Sequence, residues 1–195
     1  MEVKDGVKTF HAPAKQDWRK WLETHHQTEK SVWLIIYKKE SGVPSVYYPE
    51  AVDEALCFGW IDSKANKRDA QSYYQYFAKR KPGSNWSKVN KDKVEGLQAE
   101  GLMAAAGLEM IEIAKQNGSW TALDEVEKLS VPDDLKQAFE QNQAAFAFWE
   151  NFPPSSKRAI LEWIQNAKRP ETRHKRIEET VRLAGQNIRA NHYRQ

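Results

Sequence analysis

Between Ser31 and Tyr37 the chain reads SVWLIIY, and neither side of that run is polar. In an extended strand Val32, Leu34 and Ile36 point one way, and Trp33, Ile35 and Tyr37 the other. A strand apolar on both faces needs cover on both. The residues before it supply part of that cover. Trp18, Trp21, Leu22 and His25 fall at i, i+3, i+4 and i+7, the stripe of an amphipathic helix over 15–26. After it, SGVPS reads as a turn and VYY as a returning strand.

Pro49 opens the next helix, where its missing N–H costs nothing, and Glu50, Asp53 and Glu54 sit in the first turns, where the helix dipole favours negative charge. Gly59 suits the left-handed stop. WIDSK and SYYQYFAK then read as two strands around the turn ANKRDAQ, a hairpin. From Ser87 the periodicity becomes helical. Asn90, Val94 and Leu97 share one helix face; Met103, Gly107, Met110, Ile111 and Ala114 share the next, closed by Gly118. A helix after Val131-Pro132 turns Leu135, Ala138 and Phe139 inward. Phe146, Trp149 and Phe152 form an aromatic patch before PPSS. Ser155 or Ser156 is placed to cap a helix with Ile160, Trp163, Ile164 and Ala167 inside. Pro170 starts the last helix, with Ile177, Val181 and Ala184 inward and Gly185 at its end.

Strands thus cluster in the first 80 residues or so, and helices follow. That segregation is α+β: a small, largely antiparallel sheet with helices in the N-terminal part, then a helical C-terminal part. The expected division is an N-terminal domain over 1–118, a linker over 119–131 and a helical region over 132–195. The chain is 40% hydrophobic, but eight Trp, seven Tyr and seven Phe supply core area, each burying roughly 150–250 Å². No apolar run of about 18 residues is present, so no transmembrane segment is expected. MEVKDGVKTFHAPAKQDW has no apolar stretch of the secretory kind, and a single cysteine closes no disulfide; a cytoplasmic location is expected from both.

The net charge of +3 is uneven. Residues 67–93 and 157–195 each sum to +6, leaving −9 for the rest. Such zones can attract anions, though most are solvated surface. In NAKRPETRHKRIEETVRL, Glu171, Glu178 and Glu179 interleave with the bases, Glu178 lying four residues before Arg182. Carboxylates facing phosphates disfavour a nucleic-acid partner.

Three places carry candidate chemistry. Cys57 sits at a helix C-terminus between Leu56 and Phe58, where the dipole opposes a thiolate, so it reads as a small buried hydrophobe. Asp62 shares a strand face with Trp60, and a partly buried carboxylate needs a partner; Arg80 and Lys81, at the end of the next strand, are the expected ones. FAKRKPGSNWSKVNK joins Arg80 and Lys81 to a Pro-Gly turn, Ser84, Trp86, Ser87 and Asn90 at a helix start. Cations beside free helix N–H groups make an anion site, while Ser84 or Ser87 serves equally as a cap. No motif supports a metal, a dinucleotide or a hydrolase triad, and no cofactor is expected.

Those same segments, SVWLIIYKKESGVPSVYYPEAVDEALCFGWIDSK, FAKRKPGSNWSKVNKDKVEGL, GLMAAAGLEMIEIAK and LEWIQNAKRPETRHKRIEETVRLA, resemble the YdeI/OmpD-associated family, whose members are often labelled bacteriocin-protection proteins. The resemblance runs over roughly residues 10 to 190. Its matching positions are Cys57, Gly59, Trp60, Asp62, Arg80, Ser84, Trp86, Ser87 and Asn90, with Trp163, Lys168, Thr172, Arg173 and Arg176 in the tail. It implies a stress role in surviving antimicrobial peptides, a link to an outer-membrane porin and a periplasmic setting, and brings no catalytic residue or cofactor. The expectation is a non-enzymatic resistance accessory that binds a small ligand or protein partner through Trp60, Asp62, Arg80, Lys81, Ser84, Trp86, Ser87 and Asn90. The alternatives are an enzyme using a pocket around Asp62 and Arg80, with Asp62 or Cys57 as the reacting group, or a weak nucleic-acid binder using the basic zones.

Overall fold

The structure, a computed structural model, describes residues 2–191. It is α+β and divides into two units, the first running to Thr121 and the second beginning at Ala122.

The first unit is built on a five-stranded mixed sheet of order β1-β2-β3-β5-β4, comprising β1 (Val3–Lys4), β2 (Val7–His11), β3 (Ser31–Tyr37), β4 (Trp60–Lys67) and β5 (Ser72–Lys79). β3 lies between β2 and β5, as its two apolar faces require. β2 and β3 run parallel, and α1 (Lys15–His25) connects them; the other three pairings are antiparallel. β1 and β2 meet at Asp5 and Gly6, both at positive φ (51° and 75°), the backbone of a two-residue hairpin. β4 and β5 form the expected hairpin, with a register shift between Asp62 and Ala65.

One sheet face carries Val32, Leu34, Ile36 and Phe77 into a core shared with Trp18 and Leu22 of α1 and with Ala51, Ala55 and Leu56 of α2 (Tyr48–Cys57). Val94 and Leu97 of α3 (Lys88–Ala99) and Ile111 and Ala114 of α4 (Ala105–Gln116) join the same core. Burying one such aliphatic side chain is worth about 1.5–3 kcal/mol. On the opposite face Trp33 is still only 1% exposed. Its cover comes from the sheet itself: Tyr74 and Tyr76 meet its ring edge-on, and the Lys4 and Lys64 ammonium groups stand 5.2 and 5.4 Å from its centroid. Lysine stems and tyrosine rings thus meet a demand that composition alone suggests would need a second layer.

VYY does not form a strand. Val46 is buried in the core, Tyr47 precedes α2, and Glu50 reaches back to the Tyr47 N–H at 3.1 Å, closing the helix N-terminus. The hydrogen bond at that end favours helix over extension.

The second unit contains α5 (Asp124–Glu127), α6 (Asp133–Glu140), α7 (Gln143–Glu150), α8 (Pro154–Gln165) and α9 (Pro170–Ala184). Leu135, Phe139, Trp149, Ile160, Leu161, Ile164, Ile177 and Val181 fill its core, together with Leu123 and Val126 from around α5. Of the aromatic patch, Phe146 and Trp149 lie in α7 and Phe152 just beyond it; Asn142 caps this helix by accepting the Ala145 N–H at 3.0 Å. At α8 the boundary residue is Pro153, with Pro154 in the first turn, and neither Ser155 nor Ser156 caps it. Pro at the first helical position needs no N–H partner, so the serines are drawn inside the helix. No helix among the described residues is long and apolar enough to cross a membrane.

Candidate functional site

α2 ends at Cys57, and the chain turns through Gly59 at φ +70° into β4. The turn is sealed from outside by α4. A Cβ on Gly59 would lie 2.8 Å from the Met110 side chain and 3.0 Å from the Ala106 carbonyl oxygen. A Cβ on Gly107 would lie 2.3 Å from the Cys57 carbonyl oxygen. Two glycines therefore let α4 lie directly on the α2–β4 corner. Cys57 is fully buried at that corner, and burial pushes its thiol up, away from the reactive thiolate.

Trp60 opens β4, is 1% exposed, and donates its indole N–H to the His26 carbonyl at 3.3 Å. It meets the ring of Trp21 edge-on at 5.7 Å. Asp62, two residues on, accepts a hydrogen bond from the Tyr48 hydroxyl at 2.8 Å and lies 3.5 Å from the Gln75 amide. It does not pair with Arg80 or Lys81. The register explains why: Asp62 stands opposite Phe77, whereas Arg80 lies beyond the strand end, its N–H bonded to the Gly59 carbonyl at 2.9 Å. Three residues of strand separate the two, roughly 10 Å at about 3.3 Å per residue.

Arg80 turns instead to its own loop. Its guanidinium lies 3.7 Å from the ring centroid of Trp86, and its Nη2 donates to the Asn85 carbonyl. The side chain is 5% exposed, and Nε and Nη1 have no hydrogen-bond partner. Loss of solvent holds its pKa down at about 10. Trp86, 1% exposed, packs against Trp120 at 5.1 Å. Ser87 caps α3 by accepting the Asn90 N–H at 3.3 Å, so this pair is used structurally. Ser84 donates its backbone N–H to the Lys81 carbonyl across the Pro82-Gly83 turn, and Lys81 itself is exposed.

The eight residues expected to act together therefore separate. Arg80 and Trp86 stack, and Trp60 and Arg80 line one cavity of about 250 Å³ with Phe58, Lys79, Ala106 and Glu109. Asp62 belongs to a different contact, and Lys81, Ser84, Ser87 and Asn90 shape the loop and the start of α3.

The Tyr48–Asp62 contact predicts an alkaline effect. Partial burial, and then the carboxylate that accepts its proton, push Tyr48 up to about 12. An unfolded tyrosine titrates near about 10, so the folded chain holds this proton more tightly. The contribution is complete below about pH 10 and is lost as pH rises through about 12. In urea melts, the stability gap between the native chain and Tyr48→Phe is expected to shrink over that interval. The change is small, because Tyr48 is 41% exposed.

Two ionic clusters were not among the expected site residues. Glu54, only 2% exposed, accepts Arg19 Nη1 at 2.7 Å and Lys15 Nζ at 3.3 Å, and Arg19 also donates to the Leu102 carbonyl. Read as a dipole partner from its place in α2, Glu54 is in fact a buried anchor tying α1 to α2; its spacing three residues after buried Ala51 was the one available signal. In the second unit Arg173 clamps Asp134 through Nε at 2.6 Å and Nη2 at 3.0 Å, which holds the Asp134 carboxyl below its usual range. Arg176 lies 5.0 Å from the Trp163 ring centroid and donates to the Trp163 carbonyl. Beside Arg173 a groove of about 540 Å³ opens, floored by Val126, Leu161 and Ile164, with Glu125 and Asp133 also in its wall. Among the described residues no three His, Cys, Asp or Glu side chains converge as a metal site needs.

Family models divide along the same two-part organisation. Residues 10–110 match the model of a domain of unknown function (DUF8412), and residues 128–187 match the model described as bacteriocin-protection, YdeI or OmpD-associated. The chain belongs to the DUF8412 family, whose model spans just over half of it, and carries a bacteriocin-protection, YdeI or OmpD-associated domain after it. The motifs around Trp60 and Arg80 fall under the first model, and Trp163, Arg173 and Arg176 under the second. No curated protein and no solved structure matches the chain.

Proposed function

We propose that the protein is a non-catalytic accessory of bacteriocin protection, and that its second unit binds a cationic amphipathic peptide. The groove beside Arg173 is the observation that carries this reading, since the segment matching the bacteriocin-protection model builds most of it. Its floor is apolar and buried, with Val126 6%, Leu161 3% and Ile164 0% exposed. In its wall Glu125 and Asp133 carry exposed carboxylates paired with the exposed Lys128 and Lys136 at 2.7 and 3.1 Å, Ser130 also bonding Glu125. Surface pairs of this kind are worth about 0–1 kcal/mol, so a ligand's own cations can take the place of the two lysines at little cost. Arg173 presents little net repulsion to them, because Asp134 neutralises it. An amphipathic cationic peptide brings positive charge to the rim and apolar side chains to the small apolar surface that the floor leaves open.

Calorimetric titration of the full chain with such a peptide at low ionic strength tests this. Binding is expected to weaken as salt rises, and the Glu125→Gln/Asp133→Asn double variant to lose about tenfold, two rim contacts at roughly 0.7 kcal/mol each. No binding at low salt, or a double variant that binds as the native chain does, would remove the peptide reading. Unchanged survival under bacteriocin after deletion of the gene would remove the protective one.

A further inference from the structure

The sheet face opposite the core carries a feature that peptide binding by the second unit leaves unused. Trp33 stands across the ladder from Tyr76, whose ring it meets at 4.9 Å and 68°, and Tyr74 meets it at 6.0 Å and 65°. Rings set edge-on to one another make corners, and each corner holds a cation. Lys4 Nζ stands 5.2 Å from the Trp33 centroid and 5.3 Å from that of Tyr74. Lys64 Nζ stands 5.4 Å from Trp33 and 6.0 Å from Tyr76. The two corners differ in one respect. Lys4 has a carboxylate, Asp5, at 3.3 Å. Among the described residues the Lys64 ammonium makes no ion pair or hydrogen bond, and meets only the two rings.

The ladder shows how Lys64 reaches this place. Asp62 pairs with Phe77 and Ala65 with Gln75, so Ser63 and Lys64 share the position opposite Tyr76, a bulge. Bulges re-aim side chains, and this one sends the Lys64 stem over Trp33 and Tyr76. The residue is nonetheless exposed, and a surface cation–π contact is weak, so the stem can lift while the strand stays in place.

An ammonium is a poor occupant of such a corner. It carries three N–H donors and is strongly hydrated, whereas the rings offer it no acceptor. A trimethylammonium group has no N–H to satisfy and turns its methyl groups to the ring faces, the chemistry that aromatic cages favour. Charge then decides what its other end must be. Lys4 is balanced by Asp5, and Arg68 by Glu2 and Asp69, so the charge a ligand meets is that of Lys64 itself. A purely cationic ligand is repelled by the ammonium it displaces, but a carboxylate on the same ligand pairs with it.

We infer that the Trp33–Tyr76 corner binds a small betaine, a trimethylammonium group joined to a carboxylate by a short chain. The trimethylammonium lies on the two rings in place of the Lys64 ammonium, and the displaced lysine holds the carboxylate. The site does not depend on the peptide groove and can fail or hold separately from it.

Glycine betaine, choline and glycine are the probes, titrated into the full chain at constant ionic strength while the backbone and indole N–H signals of Trp33 are followed by NMR. Glycine betaine is expected to saturate near about 10 mM, and choline to bind at least about threefold more weakly for want of a carboxylate. Glycine, with a primary ammonium, is expected to leave these signals in place. Lys64→Ala is an exposed change that keeps both rings, and it should invert the order. Choline is expected to tighten by about fivefold, because no lysine competes for the corner, and glycine betaine to lose its advantage. Tyr76→Leu removes one wall and is expected to weaken glycine betaine by about tenfold; should it not fold, Lys64→Ala decides. The inference is overturned if glycine betaine gives no saturable shift at Trp33, if glycine binds there as tightly, or if Lys64→Ala leaves the ratio of the betaine and choline affinities as it is.

Discussion

Replacing Gly107 by alanine is expected to destabilise the protein by about 3 kcal/mol or more, the reverse of what the same exchange does in an open helix. In a free helix interior alanine is better than glycine by roughly 0.8–1 kcal/mol. In α4 its methyl would have to sit 2.3 Å from the Cys57 carbonyl oxygen, and a backbone atom cannot swing aside as a side chain can. Overpacking usually costs about 1–3 kcal/mol. Here the whole helix must lift, which also breaks the bond from the Ala104 N–H to the Cys57 carbonyl at 3.0 Å. Gly96 in α3 provides the control, because a Cβ there meets nothing within 4 Å. Gly96→Ala is expected to stabilise by about 0.5–1 kcal/mol. Urea melts of the two variants should therefore move in opposite directions. A Gly107→Ala midpoint equal to or above that of the native chain would show that α4 does not lie on this corner.

Trp86→Ala is expected to cost about 3–5 kcal/mol, the usual range for truncating a buried aromatic. The ring is 1% exposed and contacts Trp120 on one side and the Arg80 guanidinium on another. Losing it removes core area and the π face over which the unpaired cation rests. Trp86→Phe keeps a face, though a weaker one, and is expected to recover more than half of the loss. Equilibrium unfolding separates the possibilities: equal destabilisation by alanine and phenylalanine would mean that shape alone, and not the ring face under Arg80, sets the effect.

Much of this corner was legible in the chain, and the rest failed for identifiable reasons. Pro49 and Gly59 bracket α2 as their backbone preferences dictate, and the β4–β5 hairpin follows from two alternating runs. Cys57 is buried, as its apolar neighbours Leu56 and Phe58 imply, and that burial raises its pKa. Asp5-Gly6 is a strong two-residue turn signal, but the strands on either side are short and half polar, so no apolar alternation marks the first hairpin. The expected pairing of Asp62 with Arg80 or Lys81 fails because it depends on where the ladder ends, and local pattern leaves a strand end uncertain by a residue or two. Its hydroxyl partner, Tyr48, comes from a segment that composition favours as strand and a reach-back carboxylate from Glu50 makes helical. Arg80 and Trp86 stand out in the sequence, but burial of the arginine without a carboxylate has no signature there. Burial of a long cation depends on how a loop folds back, which local pattern does not encode.

The break in the β4–β5 ladder between Asp62 and Ala65 has a further consequence for how copies of the chain treat one another. β4 is an outer strand of the sheet, while the other rim, β1, is only two residues long. An unpaired strand of eight residues would offer a template for a second chain to add itself. The irregularity interrupts that row of donors and acceptors, and Lys64 and Lys67 place repelling charge along it. A lysine-flanked kink at the rim thus disfavours the addition of a sixth strand.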